Sequence, residues 1–134
     1  VCTTSRRAEV LNILRDEGIP TVVWMTPILP FINDTEENIR GILDYCIKAE
    51  VYGVLFFDSI GVTLRDGDRH YFYQKLGEHF SGLKERYIRT YGNNYIVPSP
   101  NSSYLTALTR DICMKNGIVS NTDQIFHYMG RFED

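Results

Sequence analysis

The segment Thr21–Asp34, TVVWMTPILPFIND, most constrains the fold of this chain. Within it, Thr21–Thr26 is an apolar run of β-favouring residues with a proline on either side, which predicts a short buried strand. Asp34 and Glu37 have the spacing of a capping box, which predicts that a helix begins there. Because ligands of α/β proteins bind where strands end and loops lead into helices, Thr26–Asn33 is the first candidate for a functional loop.

A helix and a second strand are predicted directly after this loop. Apolar residues recur at helical spacing over about Thr35–Ala49. The next apolar run, Tyr52–Asp58, does not alternate with polar residues, as is typical of strands covered on both faces in parallel sheets. Strand, helix and strand form one βαβ unit, which is expected to be right-handed. Further helices are predicted by their caps and apolar spacing: Ser5–Glu17, Asp68–Phe80, Ser81–Tyr91, Tyr104–Asn116 and Thr122–Phe132.

The pattern therefore predicts an α/β fold with two strong parallel strands and a helical C-terminal extension. Residues 1–67 would form the βα units and residues 68–134 the extension packed on them, as one domain overall. The segment Tyr95–Ser103 holds two prolines and is predicted to be a loop. Two buried-type strands alone leave unpaired backbone groups at the sheet edges. With Val1 in place of an initiating Met, we expect a fragment that joins a missing N-terminal half or self-associates through its exposed sheet edge.

Composition and charge limit the kinds of partner that this chain is expected to bind. The net charge of -3 gives no general attraction to nucleic acid or anionic membranes, and no apolar run approaches the ~20 residues of a membrane span. Neither the three cysteines nor the three histidines have metal-ligand spacing, so no metal site is predicted. Cys46 and Cys113 lie on predicted apolar helix faces, where a free cysteine behaves as a small hydrophobe. Unpaired cysteines without a signal peptide indicate the reducing cytoplasm.

Longer runs of this sequence resemble a known enzyme family. The runs are GIPTVVWMTPILPFINDTEENI, YGVLFF, VTLR and YFYQKLGEHFSGLKERYIRTYGNNY, followed later by CMKNGI. They are similar to the C-terminal half of radical S-adenosylmethionine proteins, in particular the group resembling spore photoproduct lyase and often labelled DNA repair photolyases. The resemblance covers nearly the whole chain. It implies the C-terminal portion of a partial (β/α) barrel, with the two strong strands as its fifth and sixth.

The resemblance also implies cofactors for a longer parent protein. Such proteins hold a [4Fe-4S] cluster through a CxxxCxxC loop, which this chain does not contain, and bind S-adenosylmethionine at the cluster. The parent would be a lyase-like enzyme using 5′-deoxyadenosyl radical chemistry. This segment would supply cofactor- and substrate-side walls, would bind no cofactor alone and would be inactive alone. The alternative is a non-catalytic α/β binding or interaction module, and an upstream CxxxCxxC motif would distinguish the two.

Thr26, Pro27 and Ile28 are the first candidate site residues. As the resemblance implies, they would contact the adenosyl part of the cofactor. A strand end without bulky charge also offers backbone polar groups and an apolar wall to a flat purine. The alternative is a strand that ends at a proline and binds nothing.

Three further candidates end the second strand, and one lies in the loop after it. Phe57, Asp58 and Ser59 combine an aromatic ring with two polar groups that can hold a nucleoside, unless they only start a turn. Arg65 carries a planar fork suited to a phosphate or carboxylate of the substrate, unless it is a plain surface arginine. The basic residues of Lys84–Arg89 can track nucleic-acid phosphates, but the interleaved Glu85 favours a solvated helix face.

Overall fold

The computed structural model describes residues 1–56 and 59–132. This part of the chain combines helices with short strands, which confirms the predicted mixed α/β class. No helix in it is long and apolar enough to cross a membrane. The helices are α1 (Thr4–Asp16), α2 (Glu36–Lys48), α3 (Asp66–His79), α4 (Leu83–Tyr91), α5 (Ser102–Lys115) and α6 (Thr122–Met129), and the strands are β1 (Val22–Trp24), β2 (Gly53–Leu55), β3 (Gly61–Thr63) and β4 (Ile96–Pro98).

A small parallel sheet lies at the centre of the fold. β1 pairs with β2 in parallel, with Val22 opposite Gly53, so the two predicted parallel strands are confirmed although each is shorter than predicted. Val119 adds a parallel bridge on the other side of β2, where the Val54 amide donates to the Val119 carbonyl at 2.9 Å. The later part of the chain is therefore mainly helical, but it also contributes to this sheet.

A second, antiparallel pair joins β3 to β4, with Val62 opposite Val97. The prediction that Tyr95–Ser103 is a loop is therefore wrong over Ile96–Pro98. Proline is tolerated at the end of an edge strand because the amide it lacks is not needed there. Gly61 permits the close approach of the two strands, since a Cβ on it would lie 2.3 Å from the Val97 carbonyl oxygen.

The main hydrophobic core forms where α2 packs against α5 and the parallel sheet. Ile39, Leu43 and Cys46 of α2 are buried, and Leu105 and Cys113 of α5 belong to the same cluster. Burial raises the pKa of the Cys46 thiol to about 12, with the nearby Cys113 as a smaller cause. Burial alone raises the pKa of the Cys113 thiol to about 11. The two cysteines thus lie on buried helix faces, as the sequence pattern predicts.

The N-terminus of α2 differs from the predicted capping box. Thr35 is the cap, and its hydroxyl accepts a hydrogen bond of 3.2 Å from the Asn38 amide. A threonine hydroxyl serves this role nearly as well as a carboxylate. Asp34 is instead buried, and it accepts a hydrogen bond of 2.5 Å from the Ser99 hydroxyl. The assignment of Asp34 as the cap is therefore wrong, because a partner distant in sequence engages its carboxylate.

A second core, which we call the aromatic cluster, fixes the loop after β1 against α3 and α4. Tyr87 is fully buried at its centre, and its hydroxyl donates to the Pro30 carbonyl at 2.5 Å. The Tyr91 hydroxyl donates to the Pro98 carbonyl, also at 2.5 Å. The segment PILPFIND is thus held by side chains far along the chain. The rings of this cluster belong to Phe31, Phe72, Tyr73, Tyr87 and Tyr91.

Candidate functional site

A cleft of about 710 Å³ opens beside the carboxyl ends of β1 and β2. One wall is formed by the residues that follow these two strands, including Thr26, Pro27 and Ser59. The β3–β4 pair forms the other wall. The carboxyl ends of parallel strands are the usual position for ligand sites in α/β folds. We refer to this feature below as the strand-end cleft.

The described residues that line the strand-end cleft carry no charged side chain. Their polar groups are the hydroxyls of Thr26, Ser59, Thr63 and Tyr95, together with backbone amides and carbonyls. The remaining lining is apolar. Such a surface is suited to a flat, neutral ring system with a few hydrogen-bonding groups, since no charge has to be desolvated or neutralised when the ligand enters.

Two large aromatic side chains on the cleft lining are half exposed. Trp24 ends β1 and is 52% exposed, and Tyr95 precedes β4 and is 51% exposed. Exposed aromatic rings with a polar edge are typical of surfaces that bind ring-shaped ligands. Neither residue is among the site residues predicted from the sequence. Trp24 lies within a run that reads as buried strand, and Tyr95 lies in a segment predicted to be a loop.

The structure brings several of the predicted site residues together. Thr26 and Pro27, at the end of β1, lie in the same cleft as Ser59, which follows β2. Ile28 does not line this cleft. It is buried, its amide donates to a β3 carbonyl at 3.0 Å, and it belongs to the lining of the second groove described below. Phe57 and Asp58 lie outside the described residues.

Arg65 lies beyond the strand-end cleft, at the exposed N-cap position of α3. Its side chain makes no capping hydrogen bond and has no ion-pair partner among residues 1–56 and 59–132. The neighbouring carboxylate of Asp66 forms an ion pair with Arg69 at 2.7 Å and not with Arg65. The guanidinium of Arg65 therefore projects without a described partner.

A second groove of about 630 Å³ lies between α1, β1 and α2 and shares Trp24, Met25, Thr26 and Pro27 with the strand-end cleft. It differs in its charge, because Arg7 and Glu37 both belong to its lining. The residues after β1 thus stand between a neutral cleft and a charged groove.

Within the described ranges, no group of three or more His, Cys, Asp or Glu residues is arranged to hold a metal ion. Comparisons of the chain with protein-family models, with curated proteins and with solved structures found no match. The geometry of the strand-end cleft and the sequence resemblance are therefore the two observations that bear on function.

Proposed function

We propose that this chain is the C-terminal part of a radical S-adenosylmethionine enzyme similar to spore photoproduct lyase. In this proposal the strand-end cleft is a wall against which the adenosyl group packs. The observation that carries the proposal is that Thr26, Pro27 and Ser59, from the ends of two different strands, line one cleft whose described lining is uncharged. A neutral, largely apolar lining with hydroxyl groups is suited to an adenine ring and its ribose.

The order of the parallel strands supports a partial (β/α) barrel. β1, β2 and the Val119 bridge lie side by side in chain order, and α2 and α6 follow the first and the last of them. Neighbouring parallel strands in chain order, each followed by a helix, are the pattern of a (β/α) barrel. The β3–α3–α4–β4 segment would then be an insertion after β2. We propose that the edge of β1 opposite β2 receives the preceding barrel strand.

The residues of this chain would bind and orient the nucleoside and exclude water from it. When bound, S-adenosylmethionine would supply a radical that abstracts hydrogen from the substrate. The Trp24 and Tyr95 rings would flank the base, and the Thr26 and Ser59 hydroxyls would be available to the ribose. The iron–sulfur ligands would come from the part of the parent that precedes this chain.

Arg65 would bind a charged group of the substrate. Its fork is exposed and has no described partner, so it is available to a phosphate or carboxylate. We propose no specific substrate. Nucleic-acid repair is the activity that the resemblance suggests, although the net charge of -3 does not favour a general attraction to nucleic acid.

Trp24 makes the proposal directly testable, because it is the chain's single tryptophan and lines the cleft. S-adenosylmethionine itself would need the cluster, whose ligands this chain lacks, but 5′-deoxyadenosine needs only the cleft wall. We therefore expect a saturable change in Trp24 emission, excited at 295 nm, when 5′-deoxyadenosine is added to the chain. Thr26→Arg should weaken this binding at least about tenfold, since a long cationic side chain would occupy a neutral cleft. The matched control is Thr90→Arg, an exposed threonine of α4 outside the cleft, which should change the affinity by less than about twofold.

The alternative is a non-catalytic α/β binding or interaction module. The groove that contains Arg7 and Glu37 is the observation that best supports it. No saturable change with 5′-deoxyadenosine, or equal effects of Thr26→Arg and Thr90→Arg, would contradict the enzyme proposal. A gene that lacks a CxxxCxxC motif upstream of Val1 would also favour the alternative.

A further inference from the structure

Asp34 is a buried carboxylate that does not line the strand-end cleft. Only 8% of the residue is exposed, and its partner Ser99 is 3% exposed. No Lys, Arg or His in the described ranges forms an ion pair with Asp34, and the hydroxyl of Ser99 donates a hydrogen bond to its carboxylate. Burying a carboxylate without a cation costs free energy. Buried polar groups of this kind are retained in some proteins because they specify one arrangement of the chain.

Two tyrosine phenols lie near Asp34, and each donates to a backbone carbonyl and not to the carboxylate. Burial is the main cause that raises the pKa values of the Tyr87 and Tyr91 phenols, and the charge of Asp34 raises both further. Both hydroxyls therefore remain protonated donors at neutral pH, one to the loop after β1 and one to the Pro98 carbonyl of β4. The Ser99 hydroxyl also accepts from the Asn101 amide at 3.1 Å.

The Asp34–Ser99 hydrogen bond joins the segments that carry the two walls of the cleft. Asp34 ends the loop that begins with the Thr26–Pro27 wall, and Ser99 follows β4 in the opposite wall. Two backbone hydrogen bonds also connect residues of these segments. The Ser99 amide donates to the Ile60 carbonyl at 2.8 Å, and the Ile28 amide donates to a carbonyl of β3 at 3.0 Å. The two walls are thus linked by one buried side-chain contact and by backbone contacts that surround it.

We propose that Asp34 and Ser99 are positioning residues that hold the two walls of the strand-end cleft at a fixed separation. The effect on ligand affinity rests on the proposed function of the cleft. The coupling between the walls is a property of the free chain and is measurable without ligand.

Amide hydrogen exchange on the whole chain, read by NMR, tests the coupling. The Ile28 amide reports on the contact between the walls, and the Val54 amide, bonded to Val119 in the parallel sheet, reports on global opening. In Ser99→Ala we expect the protection of Ile28 relative to Val54 to fall at least about tenfold. The matched control is Thr109→Val, which removes another buried hydroxyl that donates within α5, and should change this ratio by less than about threefold.

A conservative variant separates positioning from simple destabilisation. Asp34→Asn keeps an oxygen that can accept from Ser99 and should retain the protection ratio within about threefold, whereas Asp34→Ala should lower it as Ser99→Ala does. An unchanged ratio in Ser99→Ala, or the same fall in Thr109→Val, would overturn the proposal.

Affinity for 5′-deoxyadenosine, measured through Trp24, completes the test. We expect Ser99→Ala to weaken binding at least about tenfold at a temperature where both proteins are fully folded. If the wild-type chain does not bind the nucleoside but the Ile28 ratio still falls, the coupling stands and the proposed function is wrong. If binding is intact in Ser99→Ala, the pair does not position the binding wall.

Discussion

Removal of the Tyr87 hydroxyl is the sharpest test of how the loop after β1 is held. The change Tyr87→Phe deletes one oxygen and keeps the ring at the centre of the aromatic cluster. That ring lies 5.6 Å from Phe31 and 5.4 Å from Phe72, centroid to centroid, in edge-to-face contacts that need no hydroxyl. The substitution therefore isolates the hydrogen bond from the packing.

The expected magnitude follows from burial. Tyr87 is 0% exposed, and its hydroxyl donates at 2.5 Å to the carbonyl of Pro30, which is also fully buried. Without the hydroxyl the carbonyl loses this donor where water has little access. Leaving a buried acceptor unpaired costs about 1–3 kcal/mol of unfolding free energy. We expect about 2 kcal/mol, which lowers the urea midpoint by roughly 1 M for a protein of this size.

Urea unfolding monitored by circular dichroism and by Trp24 emission measures this loss. The matched control is Tyr104→Phe, because the Tyr104 hydroxyl donates to Glu36 at 2.7 Å from a side chain that is 56% exposed. Water can replace that donor, so the control should lose less than about 1 kcal/mol. A loss below about 0.5 kcal/mol for Tyr87→Phe, or equal losses for the two variants, would refute the argument from burial.

Three further predictions concern other parts of the molecule. Gly61→Ala should destabilise the fold by about 1–3 kcal/mol or more in urea unfolding, because the Cβ of the alanine would overlap the backbone of β4. The control Gly67→Ala in α3, where the new Cβ would meet open space, should be neutral or stabilising. Cys2 alone is exposed, so a thiol reagent such as dithionitrobenzoate should modify one cysteine rapidly in the folded chain and all three in denaturant. Burial raises the pKa of Tyr87 above its ordinary value of 10.0, so above about pH 10 the folded state keeps a proton that the unfolded chain releases. The free energy of unfolding should therefore be at its full value below about pH 10 and fall as the pH rises beyond it. Urea midpoints between pH 8 and 11 should show this fall, which should be less steep in Tyr87→Phe.

The elements that depend on local patterns were predictable from the sequence. The helical spacing of Ile39, Leu43 and Cys46 places one face of α2 in the core, and the structure confirms it. The apolar runs around β1 and β2 predict parallel strands, and this pairing is confirmed. The prediction that both are buried is right for β2 but wrong for β1, which ends in the exposed Trp24. In each case, residues close in sequence determine the element and the face that it buries.

The elements that depend on distant partners were not predictable in the same way. Val119 joins the sheet through a single bridge, which leaves no alternation to detect. β4 contains a proline and gains its pairing only from β3. Asp34 has the spacing of a cap, but its carboxylate binds Ser99, which no local pattern indicates. Of the candidate site, the residues at the strand ends follow from the sequence pattern, whereas the opposite wall depends on this long-range pairing.

The Val119 bridge has a consequence for how the chain folds during synthesis. β2 can pair with β1 soon after both leave the ribosome, but its other edge stays open until Val119 emerges. Ile125 of α6, which is buried against Gly53, arrives later still. Because contacts between residues distant in sequence form late and slowly, a nascent chain that stops short of Val119 should expose the β2 edge to proteases and to other unfinished chains. Completion of this sheet thus waits for the synthesis of Val119, long after β2 itself has emerged.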